Sequence, residues 1–545
     1  VTDRAATRHR QRPWFPARFP LDGWTLSAIA ITTLVAIPLI TIVSGLFVPA
    51  SENWPHIRDT VLRGYIFNTA TLSFLACLLS LLFGVPTAWL VATCEFPCRR
   101  FFEWALILPL AIPTYIAAYA YSETQEQMIP VMVFLREHMG AEAMQLVEQV
   151  FVYGLLATIL AAVLFPYVYL AARASFTRQA GAAALEAARV LGSSSWISFR
   201  RIALPMARPA IVGGLILVFM EVVNDYGAVH YFNIPTLTTG IFRAWLSKGD
   251  PGLAVRLSGG VLVLVLVLVY LERRNRGRAS YGDKAVNPGK FRRKRLPARK
   301  AFSAMLCCII PLAVGFIFPV VRLTVWAAGS SVKIPAGEFG RLLLHSISLA
   351  AGTAVLLVIA AITLSYAAQL RRNVLTSGIL KIALLGYAVP GAVIAVGVLV
   401  PAGWVDRIWG EQLFGGTLLL LVLAYFGRFL AVAVAPVESA MTRLCGQLTE
   451  ASRTLGHRPL PTLLRINIPA LRPTLLAAMI LVFVDLLKEL PLTLILRPFN
   501  FETLATKALG YAEEGRIPET SIPALVIIAT GALVAVSLNR FFRTE

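Results

Sequence analysis

The fold class this sequence predicts is an all-α polytopic membrane protein, about twelve transmembrane helices arranged as two parallel repeats. The chain has 545 residues, 57% of them hydrophobic and only 14% charged. Its mean hydropathy is +0.72. That balance is too apolar for a water-soluble protein and fits a bilayer. Apolar runs near the ~20 residues needed to cross ~30 Å of hydrocarbon recur along the chain. A polar phrase also occurs twice between those runs, at a constant offset of 264 residues (450 − 186).

Taken in order, the first half supplies spans near Trp24 to Phe47, Thr69 to Ala92, Phe102 to Tyr121, Val150 to Ala172, Pro209 to Phe232 and Val255 to Leu271. The second supplies Ala301 to Trp326, Leu342 to Leu370, Ile379 to Pro401, Leu413 to Val437, Leu471 to Leu496 and Ile522 to Leu538. The first span has a long basic flank and lacks a small-residue cleavage site, so it is expected to remain as an anchor. The domain reading follows: a basic tail over 1–20, a first transmembrane domain over 21–271 with its core at about 65–271, a linker over 272–300, and a second domain over 301–545 with its core at about 341–539.

The net charge of +21 raises nucleic acid as a partner, and the placement of the cations argues against it. Lys and Arg in short loops mark the cytoplasmic side. With the tail inside (Arg4, Arg8, Arg10, Arg12, Arg18), Arg99-Arg100, both repeated phrases, the segment Glu272 to Lys300, Arg371-Arg372, Arg540 and Arg543 all fall on that same side. Opposite loops carry Glu123, Glu126, Glu137, Glu142 and Glu148, or Glu502, Glu513, Glu514 and Glu519. The charge therefore reads as topology and attraction to inner-leaflet lipid, with both termini cytoplasmic. Cys77, Cys94, Cys98, Cys307, Cys308 and Cys445 lie in spans or at cytoplasmic ends, so no disulfide framework is expected. Cys94 and Cys98 have the spacing of a metal pair without further ligands nearby, so no permanent metal is expected.

The linker is dense in Lys and Arg and is expected to be too charged to pack. An even number of spans separates the two phrases, so both halves enter the membrane the same way round. Weaker echoes agree: Asn68-Thr69-Ala70-Thr71-Leu72 parallels His345-Ser346-Ile347-Ser348-Leu349, and Pro113 parallels Pro390. The pathway of such a fused pseudo-dimer is expected between its halves.

The repeated phrase runs Glu186-Ala187-Ala188, Gly192, Ile202-Ala203-Leu204-Pro205, and again Glu450-Ala451-Ser452, Gly456, Ile466-Asn467-Ile468-Pro469. At about 5–10% frequency per residue type, five identities at fixed offsets arise by chance on the order of once in a hundred thousand registrations. Ala182 to Leu191 favours helix, Gly192 fits a left-handed cap, and Ser193-Ser194-Ser195 offers a new N-cap. Pro205 and Pro209 are expected to stop that second piece and start a span. The expectation is a bent pair of short cytoplasmic helices, with small residues that let another surface approach. The plainer reading is an amphipathic helix lying on the membrane.

Glu-Ala-Ala, three residues, Gly, nine residues, Ile-x-Leu-Pro resembles the coupling loop of permease subunits in binding-protein-dependent ABC importers. The second copy departs at Ser452 and Ile468, both conservative in size. The resemblance covers nearly the whole chain, as two type-1 transmembrane domains joined end to end. It implies two copies of a separate ABC ATPase, with Glu186, Ala187, Ala188, Gly192, Ile202 and Pro205 docking one and Glu450, Ala451, Ser452, Gly456, Ile466 and Pro469 the other. A periplasmic or extracellular substrate-binding protein is implied too. No Gly-x-x-x-x-Gly-Lys-Ser/Thr loop occurs in the sequence, so ATP and Mg are expected on the partner and no cofactor on this chain. The chain thus reads as a transport subunit of a bacterial inner membrane and not as an enzyme. An ion-driven secondary carrier is the rival of a different class, and a membrane enzyme a third.

After each phrase comes a shared core, Ile216-Leu217-Val218-Phe219 and Ile480-Leu481-Val482-Phe483, followed by acids. Glu221 pairs with Asp485 and Asp225 with Glu489, each four apart and expected on one helix face. Buried acids at mid-bilayer cost roughly 2.5–3.5 kcal/mol and so face a pathway or a partner. They either line a cation route or anchor the halves, with Lys488 and Arg243 or Arg497 as partners. Met220 to Leu246 and Lys488 to Tyr511 resemble the matching segments of fused ferric-iron importer permeases, which implies ferric iron as cargo. Oxygen-rich acids suit a hard cation but suit thiamine, a polyamine or another small solute too.

Overall fold

The structure is a computed structural model that describes residues 22–49, 51–180, 188, 191–277, 293–329, 335–371, 373–410 and 413–541. Among the described residues it is helical apart from one two-residue strand pair. Among these residues eleven helices are long and apolar enough to cross a membrane, and a bent pair taken as one span makes twelve.

The first half contains α1 (Gly23–Gly45), α2 (Leu62–Thr93), the bent pair α3 (Arg99–Ala105) and α4 (Thr114–Ala120), α5 (Ile129–Met139), α6 (Ala141–Ala180), α7 (Ser195–Asn224), α8 (Gly227–Tyr231), α9 (Leu237–Phe242) and α10 (Pro251–Gly277). The second contains α11 (Ala298–Gly329), α12 (Ala336–Leu370), α13 (Val374–Leu385), α14 (Gly391–Trp409), α15 (Leu418–Leu444), α16 (Gly446–Thr454), α17 (Pro459–Leu487), α18 (Pro491–Leu496), α19 (Leu504–Glu513) and α20 (Ser521–Phe541). In each half three helices form the central bundle, α2, α6 and α7 in one and α12, α15 and α17 in the other.

Four expectations need correction. The span at Phe102 to Tyr121 is not straight, because the chain turns 92° between Arg99–Ala111 and Thr114–Ala120. Pro113 sets that turn: it is extended (φ −60°, ψ 141°) after a 3₁₀ turn at Leu108–Ala111, and it cannot donate the hydrogen bond a continuing helix needs. Its echo, Pro390, does the same (φ −57°, ψ 143°) after Gly386–Ala388, so the span read as Ile379 to Pro401 is broken there. The spans read as Pro209 to Phe232 and Leu471 to Leu496 end early, at Asn224 and Leu487. The acidic stretch from Glu123 to Glu148 is helical: Ser122–Glu126, α5 and the first turns of α6 occupy it. At 40 residues α6 is about 60 Å long, twice the hydrocarbon thickness. Finally, the last residues of the basic linker do pack. Lys294–Arg295 (β2) pairs in parallel with Cys94–Glu95 (β1), Leu296 N–H donates to Glu95 O at 3.1 Å, and Lys294 Nζ donates to Ser195 Oγ at 2.9 Å.

The halves interleave. Helix α1 packs on α12, α13 and α14 of the second half, and α11 packs on α2, α6 and the bent pair of the first. The Asp22 carboxylate receives Arg371 Nε at 3.1 Å, and the Trp24 and Tyr366 rings meet edge to face at 5.0 Å. Across the other junction Tyr121 OH donates to Val314 O at 2.7 Å. Gly315 lies so close to Ala162 that an added Cβ would stand 2.0 Å from its carbonyl oxygen, so only glycine permits this approach.

The repeat is also visible atom by atom. Leu237 N–H donates to Thr69 Oγ1 at 3.0 Å and Leu504 N–H to Ser346 Oγ at 2.8 Å. Capping boxes Thr236/Thr239 and Thr503/Thr506 open α9 and α19. Left-handed Asn233 (φ 52°) and Asn500 (φ 62°) precede them.

Candidate coupling elbows and the cavity between the halves

Each repeated phrase forms an elbow before a long helix. In the second copy α16 ends at Thr454, Gly456 adopts φ +82°, and α17 starts at Pro459. In the first, Gly192 has φ +76° and α7 starts at Ser195, with Ser194 Oγ accepting from Ile197 N–H at 3.3 Å. The same bond closes both bends: Ser193 N–H donates to Ala188 O at 2.9 Å and His457 N–H to Ser452 O at 3.1 Å. A left-handed residue with this return bond is the C-terminal cap that glycine adopts without Cβ strain. Leu191 and Leu455 project from the two bends, 85% and 78% exposed.

The second limb is not a short helix stopped by proline. It runs on as α7 and α17 through one wide π turn, at Phe199–Ala203 and Leu463–Asn467. There Leu204 N–H reaches Phe199 O, and Ile468 N–H reaches Leu463 O. That local widening sits immediately before Pro205 and Pro469, where a regular turn would meet the proline ring.

Of the phrase residues, Glu186 and Ala187 lie outside the described residues. Ala188 is buried at the bend, Glu450 and Ala451 are exposed, and Ile202 and Ile466 are half-buried in the π turns. Ser452 is buried and shares a 2.8 Å hydroxyl contact with Thr462 Oγ1. In the first copy the equivalent of Thr462, Ser198, instead donates to Ser193 Oγ at 3.2 Å. Asn467 Nδ2 adds a bond to Thr449 Oγ1 at 3.1 Å. These hydroxyl staples were missed in the sequence; Ser198 and Thr462 share the 264 offset and could have signalled them.

The four acids line one cavity of ≈ 90 Å³ between the halves. They do not share one helix face, because the helix breaks between the members of each pair. Asp225 follows the end of α7 in extended conformation (ψ 127°) and caps α8, accepting Ala228 N–H at 2.9 Å and Val229 N–H at 3.2 Å. It also accepts the Thr114 hydroxyl. Glu489 caps α18 in the same way, accepting Leu492 N–H at 2.9 Å and Thr493 N–H at 3.1 Å. The partner positions differ. Glu221 Oε1 accepts Tyr387 OH at 3.1 Å across the halves, and Asp485 pairs with Lys488 at 2.9 Å. Of the suggested cationic partners only Lys488 serves. Arg243 bonds Tyr65 OH at 3.4 Å and Arg497 pairs with Glu502 at 3.1 Å.

The residue that sequence reading overlooked is Arg428, in the middle of apolar α15 and 5% exposed. A mid-span arginine is itself a signal. Its Nη1 donates to Asn224 Oδ1 at 2.6 Å, and the same oxygen accepts Gly391 N–H at 2.7 Å. Asn224 belongs to the first half, Arg428 and Gly391 to the second. Counting the lining, four carboxylates face two cations, Arg428 and Lys488. With all six ionised the cavity carries two net negative charges, which favours cations over anions.

The family model described as "Binding-protein-dependent transport system inner membrane component" matches this chain twice, over residues 53–274 and 358–544. The chain is 24% identical over 480 residues to the Fe(3+)-transport system permease protein FbpB 2 of Haemophilus influenzae, covering 87% of this chain and 89% of that protein. It is 28% identical over 218 residues to the molybdenum transport system permease protein ModB of Escherichia coli, which covers 38% of this chain. Similarity to the sulfate transport system permease protein CysT of Salmonella typhimurium is 26% over 264 residues, or 47% of this chain.

Proposed function

Since the chain belongs to the family of inner membrane components of binding-protein-dependent transport systems, we propose that it is the whole permease of an ATP-driven importer that passes ferric iron between its two halves. Family membership carries a multi-pass inner-membrane location, a capture protein and an ATPase partner, and it displaces the secondary-carrier and membrane-enzyme readings. Two elbows of one geometry, closed by Ser193–Ala188 and His457–Ser452 bonds at the same offset, support two ATPase copies, one per elbow, on the cytoplasmic side with both termini.

The cargo reading rests on one observation above the rest: the relative that transports Fe(3+) is matched across both halves. The molybdenum and sulfate permeases are matched over 38% and 47% of the chain. The acid-rich cavity lining agrees, since hard cations take oxygen ligands. Glu221 and Asp485, free of capping duty, are assigned to the route, and Asp225 and Glu489 to holding the broken helices that form it.

In this reading the cavity between the halves belongs to one state of alternating access. ATP-driven approach of the two ATPases draws the elbows together, the halves part on the far face, and the capture protein releases its cargo. Hydrolysis resets the elbows and opens the inner side. Vesicles holding this chain, the ATPase and the capture protein are expected to import radiolabelled ferric iron only with ATP, undiminished by thiamine or molybdate. Import of molybdate in place of iron would overturn the cargo and leave the family intact.

A further inference from the structure

On the face opposite the elbows, a second cavity of ≈ 450 Å³ opens where the halves meet, lined by Tyr119, His230 and Tyr231 from the first half and Leu509, Ala512 and Glu513 from the second. Its position follows from chain path. Helix α7 leaves the elbow and ends at Asn224, α8 carries His230 and Tyr231 beyond it, and α10 returns toward the linker; α17, α19 and α20 trace the same route to Glu513.

His230 Nδ1 and Glu513 Oε1 face each other at 3.9 Å, both about half exposed. That is too far for a hydrogen bond. Two ligands on one small hard ion, with bonds of about 2.1 Å, stand roughly 3.0 Å apart when adjacent and 4.2 Å when opposite. The observed 3.9 Å lies between these two separations, within reach of one ion held by both side chains. The imidazole is held in place by stacking on Tyr226 at 5.0 Å. In the same lining the Tyr119 ring, fully buried, meets Tyr231 edge to face at 5.1 Å. Among the described residues the Tyr119 hydroxyl finds no hydrogen-bond partner, although buried hydroxyls are normally satisfied. Tyr115, the next phenol inward at 5.9 Å, lines the central cavity, and its hydroxyl likewise has no partner among the described residues.

We propose that His230, Glu513 and Tyr119 form a receiving site for a hard metal cation at the outer mouth, from which the ion passes inward by Tyr115 to the acid-lined cavity. It rests on the ferric-iron reading of the cargo. A carboxylate, a phenol oxygen and an imidazole are the donors such an ion accepts. Because the ligands come from both halves, the ion bridges them and the site comes apart when the mouth opens.

The test uses the full chain in lipid nanodiscs, without ATPase, titrated with ferric nitrilotriacetate. Bound iron is counted and the tyrosinate-to-ferric absorption in the visible is recorded. Wild type is expected to bind one ion per chain with that band. Tyr119→Phe keeps the ring and removes only an unpartnered hydroxyl, so it should fold normally and lose the band. Glu513→Gln and His230→Ala should each weaken binding at least about tenfold, whereas Tyr270→Phe, exposed on α10, should bind as wild type. Binding unchanged in Tyr119→Phe and Glu513→Gln, or no binding by wild type while ATP-driven vesicles still import iron, overturns the mouth site and spares the cargo reading. Vesicles that import no iron at all overturn both.

Discussion

Replacing Asn224 by Leu should unlatch the two halves. The Asn224 side chain, 9% exposed, accepts Gly391 N–H at 2.7 Å and Arg428 Nη1 at 2.6 Å. Both donors sit across the junction, so both bonds exist only while the halves are closed at this level. A neutral hydrogen bond contributes about 1 kcal/mol net and one to a charged group about 1.5–3 kcal/mol. Removing both takes roughly 2.5–4 kcal/mol from the closed state alone. At 1.4 kcal/mol per factor of ten, the open population rises roughly 60- to 700-fold, up to full opening.

The assay is thiol labelling of Leu110→Cys, a cavity-lining position, in a background with the six native cysteines replaced. While opening is fast and rare, the labelling rate follows the open population. Asn224→Leu should label faster by about the factor above. Asn224→Asp keeps an acceptor oxygen beside Arg428 and should label near the wild-type rate. A less than about threefold rise in Asn224→Leu, in protein that remains monodisperse, would refute the latch.

Three further outcomes follow from the same geometry. Gly456→Val forces a β-branched residue into φ +82°, at a cost of about 1–2 kcal/mol to the bend; ATP hydrolysis should persist while uptake falls, read as the ratio of the two rates in vesicles. Glu221→Gln with Asp485→Asn should cut iron import at least about tenfold with unchanged ATPase binding, whereas Asp225→Ala should lower the thermal midpoint, having lost the cap of α8, worth about 1 kcal/mol. At the α1 terminus burial raises the Asp22 carboxyl, but hydrogen bonds from Thr25 and the Arg371 guanidinium outweigh it and hold it below its ordinary value. Its contribution is therefore present above the unfolded value of about 3.9 and lost as pH falls through the lower folded one; Asp22→Ala should cost about 1 kcal/mol at neutral pH and nothing in acid, by thermal unfolding.

Periodicity made the spans and the repeat legible, because a bilayer imposes length and polarity on each segment separately. What it left out was pairwise. Hydropathy scored Phe102 to Tyr121 as one run because Pro113 is apolar enough to pass, and its backbone consequence is a bend. The crossing of α1 and α11 to the opposite halves leaves no trace in either helix's own composition. The acids stood out as charges, but their four-residue spacing implied a helix that Asn224 and Leu487 in fact end. Arg428 was the converse case, a visible charge whose partner, Asn224, is a neutral residue 204 positions away.

The breaks after α7 and α17 explain why acids can sit here at all. A helix that ends inside the membrane exposes free N–H groups at the start of the next one, and each must find an acceptor where water is scarce. Asp225 and Glu489 supply it. Their charge is then offset by the helix ends they cap, as a carboxylate near a helix N-terminus is. Glu221 and Asp485 have no such helix end to answer. One leans on Tyr387 across the junction and the other on Lys488 beside it. The acids of each pair thus divide their work: Asp225 and Glu489 cap the helices that line the cavity, and Glu221 and Asp485 keep their carboxylates on side chains instead.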